Sequence, residues 1–530
     1  MKRIFFSIIL LLSTQFVFAQ DIIYADVIKN DVQRMNFEIL GKVANNYLVY
    51  KELKGQNRIS VYDEGMRLIQ EVPIKNLPPR NQVLDMAFFT GSRNAHMTYQ
   101  YQSGNIVYLM AATIEANGQI LNEPIALDTT MIDYKTESKI YNSVKSDDGS
   151  KIILFKINRK NRQLYQFYAK LYNSEMNLLN EDEFTIPMDD ESYKLADYSL
   201  TNSGKLVFVK YSRLKSGNIA AAEIIERDAQ SSTYNVHGLG SAIGLNNLFL
   251  DDIKLKIDEQ QQRYLLASLY SNSKKGNIDG MYVAAFGKKD GNRLFEKTTI
   301  FDDDFRQRAK NGTGLKTVFN DFFINNVVLQ DDGSFTIATE AFYTSGNNSW
   351  DRWGYWGSPY FYGGWGFGWG GWGSPGWGWG GYWSPYRFYS PFYYSSYWWG
   401  GWGPGWGYGY DRSTFHADNI AVISFDKNGN KQWDNVIVKR QSDTETDGSI
   451  SYQVLHQNQN IHFLLNNAGK IASLEDITIS ENGTMHENPP INAKEKRLDF
   501  MPRYGRQVGT YEMIIPYRLK NNISFAKVRY

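Results

Sequence analysis

The chain has 530 residues, a formal net charge of +1 and no cysteine, with 42% hydrophobic, 15% aromatic and 21% charged residues. Balanced charge excludes a nucleic-acid protein that works through a basic surface, because neutralising phosphates needs clustered Lys and Arg. The lack of cysteine excludes a disulfide scaffold, a thiolate zinc site, a cysteine nucleophile and a lipid anchor on cysteine, and the apolar content is enough for a large core, which excludes wholesale disorder.

The chain opens on a targeting signal. Lys2 and Arg3 precede an apolar run over 4–12, and Val17-Phe18-Ala19 offers a cleavage junction ending on a small residue. The run is too short and too early for a stable membrane-spanning helix. Residues 1–19 are expected to be a signal peptide, and 20–530 the exported mature chain. Loss of Lys2 and Arg3 leaves 55 basic against 56 acidic residues, a mature charge of −1. No later stretch of 18 apolar residues follows, so no helix is expected to cross a membrane.

A pattern then recurs seven times: a β-rich run, a polar turn and, in most copies, a second run opening on an apolar residue. Examples are Ile59-Ser60-Val61-Tyr62-Asp63-Glu64-Gly65, Val422-Ile423-Ser424-Phe425-Asp426-Lys427-Asn428-Gly429 and Ile477-Thr478-Ile479-Ser480-Glu481-Asn482-Gly483. The first turn residues fall at 63, 115, 173, 226, 287, 426 and 480, with gaps of 52, 58, 53, 61, 139 and 54. A second turn precedes most of them by about half a period, as at Asp147-Asp148-Gly149, Asn202-Ser203-Gly204 and Asp331-Asp332-Gly333. Asp, Asn and Gly turns between β-branched and aromatic runs are hairpin signals. Each unit therefore reads as four antiparallel strands, a to d. Four-stranded units in series predict an all-β fold, a β-propeller of seven blades. The leftover runs at 22–28, 511–519 and 523–530 either make an eighth blade or let the termini share one.

Residues 350–410 break the period. They hold 13 of the 14 Trp, with 11 Tyr, 4 Phe and 19 Gly in 61 residues, and only Asp351, Arg352 and Arg387 are charged. The segment falls between strand b (335–342) and strand c (419–425) of the sixth unit. Shorter b–c connections lie at 159–162, 214–218 and 271–279, on the same expected face. An aromatic side chain buries ~150–250 Å², so this many exceed any patch a soluble monomer leaves bare. The segment either folds over its own blades as a lid or spacer, or is buried by a partner. The candidate binding residues are Trp353, Trp356, Trp365, Trp369, Trp372, Trp377, Trp379, Trp383, Tyr393, Tyr394, Trp398, Trp399, Trp402 and Trp406. Docking on an outer-membrane protein suits apolar rings with one polar tip. Insertion among lipid headgroups suits Trp and Tyr but not the shortage of Lys and Arg. Carbohydrate stacking is the third reading.

Catalytic signatures are missing, and no enzyme is expected. None of His96, His237, His416, His456, His462 and His486 sits in a zinc-binding spacing. Neither a nucleophile elbow nor a phosphate loop occurs. Asp302-Asp303-Asp304 lacks the alternating pattern of a calcium loop and reads as a solvated connection. No cofactor and no metal are expected. Paired carboxylates around a channel would instead favour a glycan-binding or glycan-cleaving propeller.

The Phe18-Ala19-Gln20 junction and the Gly-Trp-Tyr segment resemble exported cell-envelope proteins of Bacteroidota. That resemblance implies residence in the periplasm or at the periplasmic face of the outer membrane. It also implies an accessory role on a large outer-membrane β-barrel, such as plugging the type 9 secretion translocon. The stretch from Arg503 to Tyr530 does not resemble the sorting domain of type 9 cargo.

Overall fold

The seven sequence repeats become the third strand, the turn and the opening of the outer strand in seven antiparallel sheets. The computed structural model describes residues 21–345 and 414–530, together with the backbone of 371–372. Within those spans 30, 33–34, 134, 137–138, 162, 189–191, 215–217, 232, 239–247, 252, 275, 445–447, 458, 468–472, 493–494 and 496–497 are excepted. The expected signal peptide lies outside the described residues.

The first sheet is Asn36–Val43, Asn46–Leu53, Gln56–Tyr62 and Leu68–Pro73. The second is Val83–Thr90, Asn94–Ser103, Ile106–Glu115 and Ile125–Met131; the third is Tyr141–Lys145, Lys151–Asn161, Leu164–Asn173 and Leu178–Pro187. The fourth (Tyr193–Leu200, Leu206–Arg213, Ile219–Arg227, Tyr234–Gly238) joins the fifth (Lys254–Asp258, Arg263–Ser271, Gly280–Gly287, Arg293–Ile300) through Phe249–Leu250. The sixth is Phe322–Leu329, Phe335–Ser345, Thr414–Phe425 and Lys431–Asp443, and the seventh is Tyr452–Gln457, Asn460–Asn467, Ser473–Ser480 and Met485–Glu487. The leftover runs form an eighth sheet from both ends of the chain. Leu498–Phe500 and Arg506–Gly509 pair with Glu512–Leu519, then Asn522–Arg529, then Asp21–Tyr24, with Asp21 opposite Arg529 and Tyr24 opposite Ala526.

Successive sheets pack through apolar clusters. Phe88 and Tyr50 lie between the first and second, Phe167 and Phe208 between the third and fourth, and Phe463 and Ile420 between the sixth and seventh. The eighth sheet packs on the seventh through Phe500 and Leu464, and on the first through Phe525 and Phe37. Hydrogen bonds follow the same order. Examples are Lys151 Nζ to Asn202 O at 2.6 Å (third to fourth), Gln507 Nε2 to His456 O at 3.2 Å (eighth to seventh) and Arg506 Nη1 to Ile39 O at 2.7 Å (eighth to first).

Asp31, on the connection from Asp21–Tyr24 to the first sheet, holds the two ends of the chain together. Its carboxylate accepts from Lys51 Nζ and from Arg58 Nη2, and its carbonyl accepts from Ile523 N at 2.8 Å. Lys51 also donates to Tyr62 OH at 2.9 Å. Lys51 and Asp31 are both buried. Burial pushes the Lys51 pKa down, against the pull of the Asp31 charge.

The recurring turns lock each sheet onto the one before it. In the seventh sheet Gly483 has φ +83°, and a Cβ there would fall 2.6 Å from Trp433 Cγ in the sixth; Trp433 Nε1 donates to Glu481 O at 2.8 Å. Gly429 repeats this against Phe295, at φ +79° and 2.6 Å. Met66 and Met176 hold the equivalent turn position at φ +57° and +61°. Met66 is fully buried between the eighth and first sheets, so its packing offsets the strain of a left-handed backbone. Replacing Gly483 with Ala combines a left-handed φ that side-chain-bearing residues rarely adopt with a clash and should cost about 1–3 kcal/mol. Urea denaturation would show a lower midpoint at unchanged slope; an unchanged midpoint would contradict this packing role.

Between the fourth and fifth sheets, Glu226 accepts from Lys205 Nζ at 2.7 Å, from Asn235 Nδ2 at 3.3 Å and from the Tyr264 hydroxyl. Burial opposes ionisation, but His237, whose Nε2 lies 3.5 Å away, and hydrogen bonds from Lys205 and Tyr264 outweigh it and hold the carboxyl down at about 2. A depressed folded pKa gives stability that is present above the unfolded value of 4.5 and is lost as pH falls toward about 2. Glu226→Gln should remove on the order of 2–3 kcal/mol at neutral pH and flatten the acid limb of the stability curve. Equal slopes for both proteins between those pH values would refute the assignment.

Candidate functional site

The aromatic segment leaves the fold between the second and third strands of the sixth sheet, and those strands are unusually long. Phe335–Ser345, Thr414–Phe425 and Lys431–Asp443 run for 11, 12 and 13 residues. Register shifts between Glu340 and Phe342, and between Asp418 and Ile420, let polar side chains turn inward here.

Glu340 is wholly buried. Its carboxylate meets Lys439 Nζ at 2.8 Å and accepts from Ser451 Oγ at 2.7 Å and Asn325 Nδ2 at 3.2 Å. Lys439 also donates to Ala417 O at 2.7 Å and Gln441 Oε1 at 3.1 Å. Burial pushes the Lys439 pKa down, and the Glu340 charge opposes that shift. Between the second and third strands, Asp418 accepts from Tyr343 OH at 2.8 Å, and Tyr343 stacks on His416 with ring centroids 4.7 Å apart. Ser345 Oγ lies 2.7 Å from His416 Nε2. Burial depresses the His416 pKa, so the ring is neutral at pH 7. Asn419 Nδ2 donates to Ala309 O and Asn311 O, at 3.0 and 2.7 Å, which ties this root to the end of the helix Asp303–Lys310.

A second polar group adjoins the root. Arg518 Nη2 of the eighth sheet lies 3.4 Å from Asp443 and 3.9 Å from Asp499, and Ser449 Oγ donates to Asp443 at 2.6 Å. Burial raises the Asp499 pKa; Asp443 adds to the shift and Arg518 opposes it.

Of the fourteen aromatic residues singled out by the sequence, thirteen lie outside the described residues. For Trp372 only the backbone is described, where Gly371–Trp372 pairs with Asn158 and Arg159 of the third sheet. Asp302 is exposed on the connection between the fifth and sixth sheets, and it also caps a helix that the sequence reading missed: its side chain accepts from Phe305 N at 2.8 Å, and Phe305 and Ala309 enter the core between those sheets. His462 is buried against Asp476, and His456 bonds Gln330. Among the described residues, no group of three or more His, Cys, Asp or Glu could hold a metal ion, and no helix is long and apolar enough to cross a membrane.

Glu340, Lys439, Asp418, Asp443, Asp499 and Arg518 were not singled out by sequence. A signal existed for the first two, a Glu inside Ala338-Thr339-Glu340-Ala341-Phe342 and a Lys inside Val436-Ile437-Val438-Lys439. A charge within an apolar strand needs a buried partner.

No protein-family model and no curated protein matches the chain. Several solved structures are similar in outline. Prolyl oligopeptidase B from Galerina marginata aligns over 92% of this chain and 55% of its own, at 7% identity and a TM-score of 0.38. A polysaccharide lyase of family PL25, an ulvan lyase, aligns over 83% of this chain and 90% of its own, at 10% identity and a TM-score of 0.36. A puromycin hydrolase aligns over 93% and 61%, at 8% and 0.34. This chain thus spans about half the length of the prolyl oligopeptidase. Likeness at this level carries no residue, activity or substrate across.

Breaking the root pair leaves a buried lysine without its counter-ion. Glu340→Gln should cost about 3–5 kcal/mol, and adding Lys439→Met should recover part of it. Thermal melts of the single and double variants would read the coupling; additive losses would show that the two residues do not act as a pair.

Proposed function

We propose that the chain is an exported, eight-bladed β-propeller that serves as a non-catalytic binding scaffold, presenting its aromatic segment from one face to an outer-membrane partner. The closed eight-bladed reading is supported by the order of the apolar clusters, in which the eighth sheet packs on both the seventh and the first. The functional reading rests on the root of the segment. Buried polar pairs cost desolvation energy, and here the Glu340–Lys439 ion pair and the Tyr343–Asp418 hydrogen bond stand near where the segment leaves and rejoins the fold. The partner class is an outer-membrane β-barrel or envelope complex, which the chain plugs or gates from the periplasm; the type 9 translocon is of that class.

The test is native purification of the tagged mature protein from outer-membrane extract, beside a version lacking 350–410. Co-purification of a β-barrel protein with the full chain only is the expected result. Identical partners for both versions would overturn the docking role and leave a self-packed lid or spacer.

One observation favours a second reading, a glycan-cleaving or glycan-binding propeller. Asp443 and Asp499 share one arginine nitrogen on the segment's side, and the raised pKa of Asp499 suits a proton donor. Release of reducing ends or unsaturated sugars from acidic polysaccharides, lost in Asp499→Asn, would establish it.

A further inference from the structure

Four loops meet at one end of the eighth and first sheets, on the side from which the aromatic segment leaves the sixth. Two are hairpin tips, Lys54-Gly55 in the first sheet and Lys520-Asn521 in the eighth. A third leads from Asp21–Tyr24 to the first sheet and carries Lys29; the fourth leads from the first sheet to the second and carries Lys75. Hydrogen bonds hold them together. Asn522 Nδ2 donates to Ile28 O at 3.0 Å and to Lys29 O at 3.2 Å, which sets Lys29 beside the tip of the eighth sheet. Asp31 ties the same loop to the first sheet through Lys51 and Arg58. Ile74 N donates to Asn57 O at 2.8 Å and Asn57 Nδ2 to Gly55 O at 3.1 Å, which sets Lys75 beside the tip of the first sheet.

Lys29, Lys54, Lys75 and Lys520 are all exposed, and none makes a side-chain ion pair or hydrogen bond among the described residues. The acids nearby do not balance them. Asp31 is buried under Lys51 and Arg58, and Glu52 accepts from Gly55 N at 2.6 Å and from Asn36. Asp26 is the one exposed acid on the described parts of the four loops. Two of the lysines also hold a left-handed backbone, Lys54 at φ +53° and Lys520 at φ +56°. Turn chemistry favours Gly, Asn or Asp there, and the matching tip of the second sheet has Gly104 at φ +57°. At two tips the positive charge is thus kept against the local backbone preference. Val27, 41% exposed, stands two residues before Lys29.

Lysine is a compact charge on a flexible stem, and four of them on four separate loops match a spread of negative charge better than one small ligand. An exposed apolar side chain among cations suits the boundary between headgroups and acyl chains. The segment 350–410 is rich in Trp and Tyr, but its only cations are Arg352 and Arg387. Interfacial binding joins such rings to basic residues, and the lysines on the same side supply them. We propose that this end of the eighth and first sheets rests on an anionic lipid surface, with Lys29, Lys54, Lys75 and Lys520 against the headgroup phosphates and Val27 among them. The contact goes beyond docking on a barrel, because it needs no protein partner, and it turns the side that carries the aromatic segment toward the membrane.

The experiment is flotation of the full mature protein with vesicles of phosphatidylcholine, alone or with about 30% phosphatidylglycerol, at about 0.05 M and about 0.5 M NaCl. Binding is expected on the anionic vesicles only, and should fall at least about tenfold at the higher salt. Each lysine at an anionic surface contributes about fivefold in partitioning, so Lys54→Gly with Lys520→Gly should weaken binding about 25-fold. Glycine accepts a positive φ without strain, so the melting temperature of that variant should not fall, which separates loss of charge from loss of fold. Adding Lys29→Gln and Lys75→Gln should abolish flotation. No flotation of the unaltered protein, flotation unchanged in the double variant, displacement by inorganic phosphate at matched ionic strength, or binding to polyglutamate in place of vesicles would each overturn the lipid contact. So would flotation that needs 350–410 but survives loss of all four lysines. The vesicles carry no protein, so failure here leaves barrel docking standing, and failure to co-purify a barrel leaves the lipid contact standing.

Discussion

Four residues, Asp21–Tyr24, pair the beginning of the chain with its last strand, Asn522–Arg529. A repeating array buries each unit's apolar face against its neighbours, so its terminal units need special treatment. Here the last sheet borrows its outer strand from the beginning of the chain, and the first sheet packs on that composite through Phe37, Tyr62 and Phe525. Pairing residue 21 with residue 529 closes a loop of nearly the whole chain. The entropy of that closure grows only slowly with length, and side chains buried at the seam offset it. Asp31 adds specificity: with Lys51 and Arg58 buried around it, a slipped strand would strand charges in the core.

Apolar and polar groups divide the labour across the fold. The clusters between sheets are built from Phe, Tyr, Ile, Leu and Val, and supply the non-directional part of stability. Ion pairs and hydrogen bonds gather at the inner edges and turns, where one sheet must be set against the next in a single register. The sixth sheet departs from this scheme. Its elongated strands carry buried charge outward to the place where the aromatic segment begins and ends, so the local cost of burying Glu340 and Lys439 is met at a position the repeat alone does not require.

The repeats were legible because turn chemistry is local. Asp426 to Gly429 announces a tight turn without knowledge of anything distant, and the same holds at 480–483. The place of the aromatic segment followed from counting strands. What pairs with Asp21–Tyr24 was left open, since strand partners hundreds of residues apart leave no mark on local spacing. The helix at Asp303–Lys310 was missed although Asp302 is a good cap, because three consecutive acids in a turn-rich chain read equally well as a solvated loop. The polar root of the sixth sheet was hidden for a related reason. A lone Glu or Lys in a strand states that a partner exists but not which one.

The seam also explains why a cation pair occurs where it does. Arg506 reaches Ile39 only once the end of the chain lies beside its beginning, and Gly41 leaves it room. Lys145 approaches from the third sheet through Thr90 of the second.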